Sequence, residues 1–163
     1  MINETTTPQD EMSVKVGKEF MEGIFADVNM RLQLFDEHGK QKDERFVHNI
    51  VTTGGKTGVA DQILAAPTLP KMGWMAIGTG VPSATLLGAE NARVAFDTKT
   101  RVTTVITVVA TFGAGVGTGA LIEAGTFDVV TANTVNMWMS ATFTVINKAV
   151  NDSLVITWTL TIA

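Results

Sequence analysis

The sequence predicts a mainly β protein, an antiparallel β-sandwich or jelly-roll-like barrel with one short helix and an N-terminal arm. Apolar and polar side chains alternate over most of the last 28 residues, which is typical of strands with one buried face. A run rich in β-branched residues at 101–112 favours a further strand. Glycine and asparagine turns separate other short apolar runs, so we expect about seven to nine strands.

The chain of 163 residues suits a single domain preceded by an arm. We assign residues 1–28 to the arm and residues 29–163 to one β-sandwich domain. Met1–Met12 is polar and would become ordered where a neighbour supplied a groove. From residue 14 to 28, a four-residue apolar spacing would suit a short amphipathic helix, weakened by Gly17 and Gly23: Val16, Phe20, Ile24 and Val28.

The first part of the domain predicts a hairpin and then a helix. Asn29–Val47 forms the hairpin around a glycine turn at Asp36–Lys40, and its second strand runs on to Val51. Thr52 and Thr53 are candidate caps of a helix from Gly54 to Ala65. The apolar face of that helix would carry Val59, Ile63 and Leu64.

The middle of the chain predicts extended segments joined by glycine-rich loops. The segments are Trp74–Ile77, Val94–Thr98, Arg101–Phe112 and Leu121–Phe127. Gly113–Gly119 is the longest glycine loop and separates the last two of them. The low-charge run that spans them is β-branched and glycine-rich rather than helical, so no membrane segment is predicted.

The C-terminal stretch predicts two long antiparallel strands that form a ribbon, with the rest of the sheet pairing onto it. They are Asn136–Asn147 and Ser153–Ala163, joined by a polar connector. The first strand would bury Met137, Met139, Ala141, Phe143 and Val145, and the second Leu154, Ile156, Trp158, Leu160 and Ile162. The opposite face of the second strand is lined with threonine.

Charge is distributed unevenly along the chain. Residues 1–61 hold 11 acidic and 7 basic side chains, a balance of −4, whereas residues 62–163 hold 5 of each. This second part is sparse in charge beside a typical content of about 25%. Its threonine faces therefore meet either water or other subunits. The mildly acidic balance does not fit nucleic-acid binding, which requires clustered Lys and Arg.

No complete catalytic, cofactor or metal motif is present in the sequence. The absence of cysteine excludes disulfides and thiolate metal sites. Gly54–Thr57 resembles the end of a phosphate-binding loop, but Ile50 stands where the first glycine is required. The two histidines, His38 and His48, lack the spacing of metal ligands. We expect a protein that is not an enzyme and holds no cofactor or metal.

Glu123 is the one carboxylate that invites a catalytic interpretation, because it lies in an apolar segment flanked by glycine. A buried acid can have a raised pKa, as catalytic acids do. No second carboxylate or nucleophile motif accompanies it. The structural alternatives are that Glu123 caps exposed backbone amides or pairs with Arg93 or Arg101.

The candidate interface residues come from the last two strands and the arm. Trp138 is out of step with Met137 and Met139, so it points to the opposite face and would contact a partner or ligand, unless the strand is buried on both faces there. The other candidates are Thr157, Thr159 and Thr161 on the threonine face and Pro8 and Phe20 in the arm.

Several short motifs follow one another from Val28 to the end of the chain. They are Asn29–Leu32, Val47–Thr52, Ala76-Ile77-Gly78-Thr79-Gly80, Ala110–Gly115 with Gly117-Thr118-Gly119, Ile122-Glu123-Ala124-Gly125, Ile146-Asn147-Lys148 and Ile156-Thr157-Trp158-Thr159. Their order and spacing resemble a widespread group of tailed-bacteriophage virion proteins, whose members are labelled tail fibre, head decoration or structural protein. Those proteins usually have a longer Thr/Ala-rich loop than Val81–Thr85 after the Gly-Thr-Gly, and Met1–Met12 falls outside the resemblance.

The resemblance implies a structural component of a phage particle, made in the host cytoplasm and carried in the virion. We expect a capsid decoration or cement protein that stabilises the head. The alternative is a tail-fibre, collar or head-fibre component that contacts the host surface or anchors a fibre. The expected partners are the major capsid protein or other virion proteins and further copies of the chain, as a trimer or dimer, with no nucleic acid and no membrane.

Overall fold

The computed structural model describes residues 25–134 and 136–162, which form a sandwich of two antiparallel five-stranded sheets. The predicted mainly β fold is confirmed. In chain order the strands are β1 (Phe25–Phe35), β2 (Gln41–His48), β3 (Ile50–Val51), β4 (Trp74–Gly78), β5 (Glu90–Ala95), β6 (Thr98–Val102), β7 (Val105–Phe112), β8 (Gly119–Phe127), β9 (Met137–Lys148) and β10 (Ser153–Ile162). Helix α1 (Thr53–Gln62) lies between β3 and β4 in the chain.

The two sheets draw on distant parts of the chain. The first sheet has the order β2-β1-β10-β7-β6, and the second has the order β3-β9-β8-β4-β5. β1 and β2 form the predicted hairpin. Its turn is closed by Asp36, whose Oδ1 accepts the backbone N–H groups of His38 and Lys40 at 2.9 Å each. Gly39 completes the turn with φ +78°, a conformation that favours glycine.

Apolar side chains of both sheets fill one core between them. β10 points the predicted side chains inward, namely Leu154, Ile156, Trp158 and Leu160, and the second sheet supplies Met75, Ile77, Leu121 and Met139. Trp158 is fully buried. Its indole N–H donates to the side-chain oxygen of Asn49, whose amide nitrogen donates to the carbonyl of Val28. The polar atom of the largest core side chain is therefore satisfied where the chain passes from β2 to β3.

β9 and β10 do not pair with each other, so the predicted C-terminal ribbon is wrong. β10 pairs with β1 and β7 in the first sheet, whereas β9 pairs with β3 and β8 in the second. Their short connection crosses from one sheet to the other. The period-two pattern of each strand identifies a buried face, and two such faces can meet across a core instead of lying side by side.

The buried face of β9 changes along the strand, contrary to the single alternation predicted for it. Met139 and Ala141 point into the core, but Val145 is 46% exposed and Ile146 is buried in its place. The ladder between β8 and β9 shifts register between Leu121 and Glu123. The extra residues of β9 at this irregularity move the side chains that follow to the other face.

Residues 101–112 form the end of one strand and the whole of the next rather than a single strand. β6 ends at Val102, β7 begins at Val105, and Thr103 and Thr104 form a two-residue turn between them. Thr103 has φ +51°, which is rare for a β-branched residue. The turn therefore lacks the glycine or asparagine signal that would have revealed it. Residues 94–98, predicted as one strand, divide between the end of β5 and the start of β6.

Helix α1 begins as predicted, with Thr52 as its N-cap: the Thr52 hydroxyl accepts the N–H of Gly55 at 3.1 Å. The predicted apolar face is correct only for Val59, which packs against the core. Ile63 and Leu64 lie beyond the helix end and are 82% and 57% exposed. Across the described residues no helix is long and apolar enough to cross a membrane.

Glycines form the inner face of α1. Gly55 and Gly58 are buried, and a Cβ built on Gly58 would overlap the ring of Trp138. The helix is thus held by close approach of its backbone to β9 rather than by an apolar stripe. Because the helix sequence also has low intrinsic helical propensity, its stability depends on this contact.

The first strand begins at Phe25, so residues 25–28 belong to the sheet and not to the helix considered for residues 14–28. The rest of that segment, with Met1–Met12 and the candidate contacts Pro8 and Phe20, lies outside the described residues.

The strands at the edges of both sheets are short or charged. β3 has two residues, and β2 carries four successive charged side chains at residues 42–45. β6 alternates threonine and valine with Lys99 and Arg101, and the ammonium of Lys99 donates to the carbonyl of Met72 at 2.7 Å. Short strands and edge charges disfavour pairing with the strands of another copy.

Gly58→Ala tests the close packing of α1 on β9. In an exposed helix this change stabilises by up to about 1 kcal/mol, but here the added methyl meets the Trp138 ring, so we expect a loss of about 2 kcal/mol or more. Urea unfolding measures it. Lys56→Ala, at an exposed site of the same helix, is the matched control and should change stability by less than about 0.5 kcal/mol. A stabilised Gly58→Ala variant would contradict the packing described.

Candidate interaction surface

The outer face of the first sheet carries no charge across three adjacent strands, β6, β7 and β10. The strand register places its side chains in rows: Val102, Val105 and Thr161; Thr100, Thr107 and Thr159; Thr98, Val109 and Thr157; Thr111 and Val155. The side chains are exposed on β6 and half-buried on β10. We call this set the threonine–valine face.

The same rows continue onto β1 and β2, where the face becomes charged. Arg31 Nη2 lies 2.6 Å from Glu44 Oε1, and His48 Nδ1 lies 3.7 Å from Asp27 Oδ1. The guanidinium of Arg31 also lies 5.6 Å from the ring centroid of Phe46. These charges are matched by neighbours within the sheet, whereas the outer side chains of β6, β7 and β10 carry no charge.

The threonine–valine face brings together three of the predicted interface residues, Thr157, Thr159 and Thr161, in consecutive rows at its inner strand. Trp138 is not part of this or any other open surface, because it is 8% exposed and packs beneath α1. The strand is buried on both faces at that point, which was the alternative to a contact role. The spacing of β9 could not reveal this, since the cover comes from a helix distant in sequence.

Glu123 is a structural anchor for a loop, as one of the alternatives to catalysis predicted. The side chain is fully buried. Its Oε1 accepts the backbone N–H groups of Gly80 at 2.9 Å and Ala89 at 2.8 Å, and its Oε2 accepts that of Gly88 at 2.8 Å. Neither Arg93 nor Arg101 pairs with it. The carboxylate holds the two ends of the loop 79–89 together, and its charge is satisfied by amides.

The loop 79–89 covers part of the outer face of the second sheet. Leu87 packs there with Ala76, Phe127 and Met137 in a second small apolar cluster. Met137 thus lies on the face opposite the one predicted for it. The loop tip is exposed and includes Val81 at 72%. This compact loop with close ends has the form of an Ω-loop, a type that often carries binding residues.

Arg93 and Glu90 hold the connector 128–134 against this sheet. They form a buried pair, with Arg93 Nη2 2.8 Å from Glu90 Oε2. Arg93 also donates to the carbonyl of Val129 at 2.8 Å, and its guanidinium lies 3.7 Å from the ring centroid of Phe127. Glu90 accepts the N–H of Asn133 at 2.9 Å. The pair fixes the backbone of the connector 128–134, a role that the spacing of charges in the sequence did not indicate.

Asp128 is a buried carboxylate without a hydrogen bond at the start of the same connector. It is 5% exposed, and neither oxygen has a partner within hydrogen-bonding geometry. Burial raises the pKa of Asp128 above its ordinary value of 3.8. Its own backbone N–H, the Trp138 indole and the charge of Arg93 lie near enough to oppose this shift only in part.

Lys148 and Asp152 flank the link by which the chain crosses from β9 in the second sheet to β10 in the first. The buried ammonium of Lys148 donates to the carbonyl of Gly113 at 2.9 Å, and burial lowers the pKa of Lys148. Asp152 accepts from Lys42 Nζ at 2.7 Å and from the N–H of Ala149 at 2.9 Å. The hydrogen bond from Lys42 is the main reason that the pKa of Asp152 is lowered.

A neutral groove of about 470 Å³ lies on the outer side of the second sheet. We call it the β3–β9 groove, and it is lined by His48, Asn49, Ile50, Pro82, Ser83, Ala84, Ser140, Ala141 and Thr142. Ile50 is 65% exposed. Apart from His48 the lining carries no titratable side chain, so the groove suits an uncharged segment of peptide rather than an ionic ligand.

An open cleft of about 660 Å³ lies at the end of the sandwich near the β1–β2 turn, lined by Asp36, Glu37 and Asn151 among others. Its carboxylates are already used, because Asp36 caps the turn and Glu37 accepts from Asn151 at 2.9 Å. Within residues 25–134 and 136–162, no group of three or more His, Cys, Asp or Glu side chains is arranged to hold a metal.

Comparison with protein-family models, with curated proteins and with solved structures finds no match for this chain. The surfaces described above and the resemblance of the sequence motifs are therefore the observations that bear on function.

Glu123→Ala tests the anchoring of the loop 79–89. Removing the carboxylate leaves the N–H groups of Gly80, Gly88 and Ala89 without this acceptor, so we expect a loss of about 2 kcal/mol in the free energy of unfolding. Urea unfolding gives the loss, and hydrogen exchange should show faster exchange at Gly80, Gly88 and Ala89. The control is Glu37→Ala at an exposed carboxylate, with a change below about 0.5 kcal/mol. Unaltered exchange at the three amides would contradict the anchoring role.

Asp128→Asn should alter the pH dependence of stability. Because the folded pKa of Asp128 lies above the unfolded value of 3.8, the native state binds the proton more tightly and the charged form is penalised at higher pH. The variant should therefore be more stable than the native chain at neutral pH. The difference should shrink as the pH falls through the raised pKa and vanish near 3.8. Thermal unfolding of both chains across pH measures it, and a difference that does not vary with pH would refute this.

Proposed function

We propose that the protein is a non-enzymatic structural component of a tailed-bacteriophage particle and that it decorates the head as a cement protein. The threonine–valine face is the observation that carries this proposal. A neutral face free of long charged side chains can be buried against another protein with little desolvation cost, whereas the β1–β2 half cannot. Thr157, Thr159 and Thr161 form the inner strand of the attachment surface.

The size of the face supports attachment at several points rather than by a single strong contact. Three strands spaced about 4.8 Å apart, with about six residues each, span an area on the order of 300 Å². This is well below the roughly 800 Å² per partner that stable complexes bury. A decoration protein compensates by binding as an oligomer across several capsid subunits, so that weak contacts add. A dimer or trimer of this chain would supply that multivalency.

The buried acids also support a structural role. Glu123, the candidate catalytic acid, is occupied by three backbone amides, and Glu90 is paired with Arg93. Both side chains organise loops on the second sheet. Because both side chains hold loops of the second sheet, neither lies on the outer face of the first sheet, which is the proposed attachment surface.

The competing assignment is a tail-fibre, collar or head-fibre component, in which Trp138 and the glycine loops Gly78–Gly80 and Gly113–Gly119 would line a host-contact site. Trp138 is buried beneath α1 and cannot contribute to such a site. The surfaces that remain for host contact are the exposed tip of the loop 79–89 and the exposed residues 114–116 of the Gly113–Gly119 loop. We therefore place the head assignment first and keep the tail assignment as an outcome of the test.

Electron microscopy of intact particles labelled with an antibody to this protein tests the proposal. Labels distributed over the head are expected, and labels confined to the tail would overturn the cement assignment. The same particles, produced with a Thr159→Lys chain, should carry at least about tenfold less protein, because a lysine in the central row must be desolvated on attachment. Gln33→Lys, on the charged half of the same sheet, is the control and should leave the amount unchanged. Equal incorporation of both variants would exclude the threonine–valine face as the attachment surface.

A further inference from the structure

An apolar segment is exposed immediately after α1. Ile63 is 82% exposed and Leu64 is 57% exposed, and residues 65–68 are exposed as well. Residues 62–70 contain no charged side chain. Apolar side chains that are exposed singly need no explanation, but adjoining ones mark contact sites. We call residues 63–70 the apolar loop.

The apolar loop is held in one conformation by Asp61, a buried side chain in the last turn of α1. Its carboxylate accepts the backbone N–H groups of Thr68 at 3.0 Å and Leu69 at 2.9 Å, and the hydroxyl of Thr68 at 2.9 Å. Gln62 Nε2 donates to the carbonyl of Leu69 at 3.0 Å. Because the loop is ordered before it meets a partner, binding through it costs little conformational entropy.

The β3–β9 groove has the chemistry that matches this loop. Its volume of about 470 Å³ lies within the range of about 300–1,000 Å³ that is typical of binding pockets. Ile50 and Ala84 are exposed residues of its lining. A charged segment would lose its hydration in this neutral groove without gaining an ionic partner, whereas aliphatic side chains gain free energy by leaving water.

The apolar loop does not fill the groove of its own chain. Ile50, in the groove, lies three residues before Thr53, where α1 begins, and Ile63 directly follows Gln62, where α1 ends. The ten residues of the helix span about 15 Å. Loop and groove are thus separated by the length of α1, and a loop from another copy can enter the groove.

We propose that the apolar loop of one copy docks in the β3–β9 groove of a second copy, with Ile63 and Leu64 buried against Ile50. Each chain has one such loop and one such groove, so the contact can be exchanged between two copies or repeated around a closed ring. The contacts of one assembly add, which compensates for the small area of each.

This contact is compatible with the attachment surface proposed above. The lining of the groove includes no residue of β6, β7 or β10, so the threonine–valine face stays free when copies associate. The inference does not depend on the proposed phage function, because it concerns the association of the isolated chain.

Sedimentation equilibrium of the full chain across a concentration series tests the contact. The native chain should reach a multiple of the mass of one chain, 17.4 kDa. Ile63→Lys with Leu64→Lys should sediment as single chains, because the lysines resist desolvation in the groove while suiting the end of a helix. Ala84→Arg, at the groove, should have the same effect.

The matched control is Val130→Lys with Val150→Lys, which charges two other exposed apolar positions and should keep the native mass. Circular dichroism verifies that each variant is folded, as substitution at exposed sites predicts.

A mixture of the two interface variants identifies which surfaces meet. The Ala84→Arg chain keeps its apolar loop, and the double lysine variant of the loop keeps its groove. An equimolar mixture should therefore form a two-chain species that neither variant forms alone. The proposal would be overturned by a native chain that stays at the mass of one copy, by interface variants that keep the native mass, or by a mixture that remains at the mass of single chains.

Discussion

The sandwich depends on the way in which the chain crosses between its two sheets at one end. β7 passes to β8 through the glycine loop, and β9 passes to β10 through the link 149–152, so the two crossings lie side by side. Lys148 joins them by donating to Gly113, and the N–H of Gly115 donates to Val150 at 2.6 Å. These bonds hold the sheets in register over the core, because packed sheets lie about 10 Å apart and a short link must bridge that gap.

Local patterns predicted the buried faces better than the partners of the strands. Alternation in β10 correctly identified Trp158 and its neighbours as core, because the period of an extended chain sets which side chains share a face. It could not tell whether the face opposite came from the same sheet or from the other one, and so the β9–β10 ribbon was wrong. The turn at Thr103 was missed for a related reason: its residues are good strand formers, and the hairpin is imposed by tertiary pairing.

The polar interior also lay largely beyond prediction from the sequence. Glu123 was identified as unusual, and amide capping was among its predicted roles, because an acid in an apolar segment must find donors. The donors themselves come from a loop 34 to 43 residues away in the chain. Trp138 belongs to the main core cluster together with Met139, and its cover is the glycine face of α1, which has no apolar periodicity to detect. Such contacts form where the backbone of one element comes close to a side chain of another, and the pattern of side chains along the sequence carries little information about that.

The guarded strand edges have a consequence for how this protein behaves when many copies are crowded together. A sheet with long, neutral edges can recruit the next molecule strand by strand, and that growth has no natural end. Here the edge strands are brief or bear charges, whereas the neutral surface is a broad face away from the edges. Association through the threonine–valine face, as proposed, would use a face of fixed extent instead of an edge that the next strand can extend. Strand-by-strand growth from the short or charged edge strands is thus disfavoured, even at very high local density.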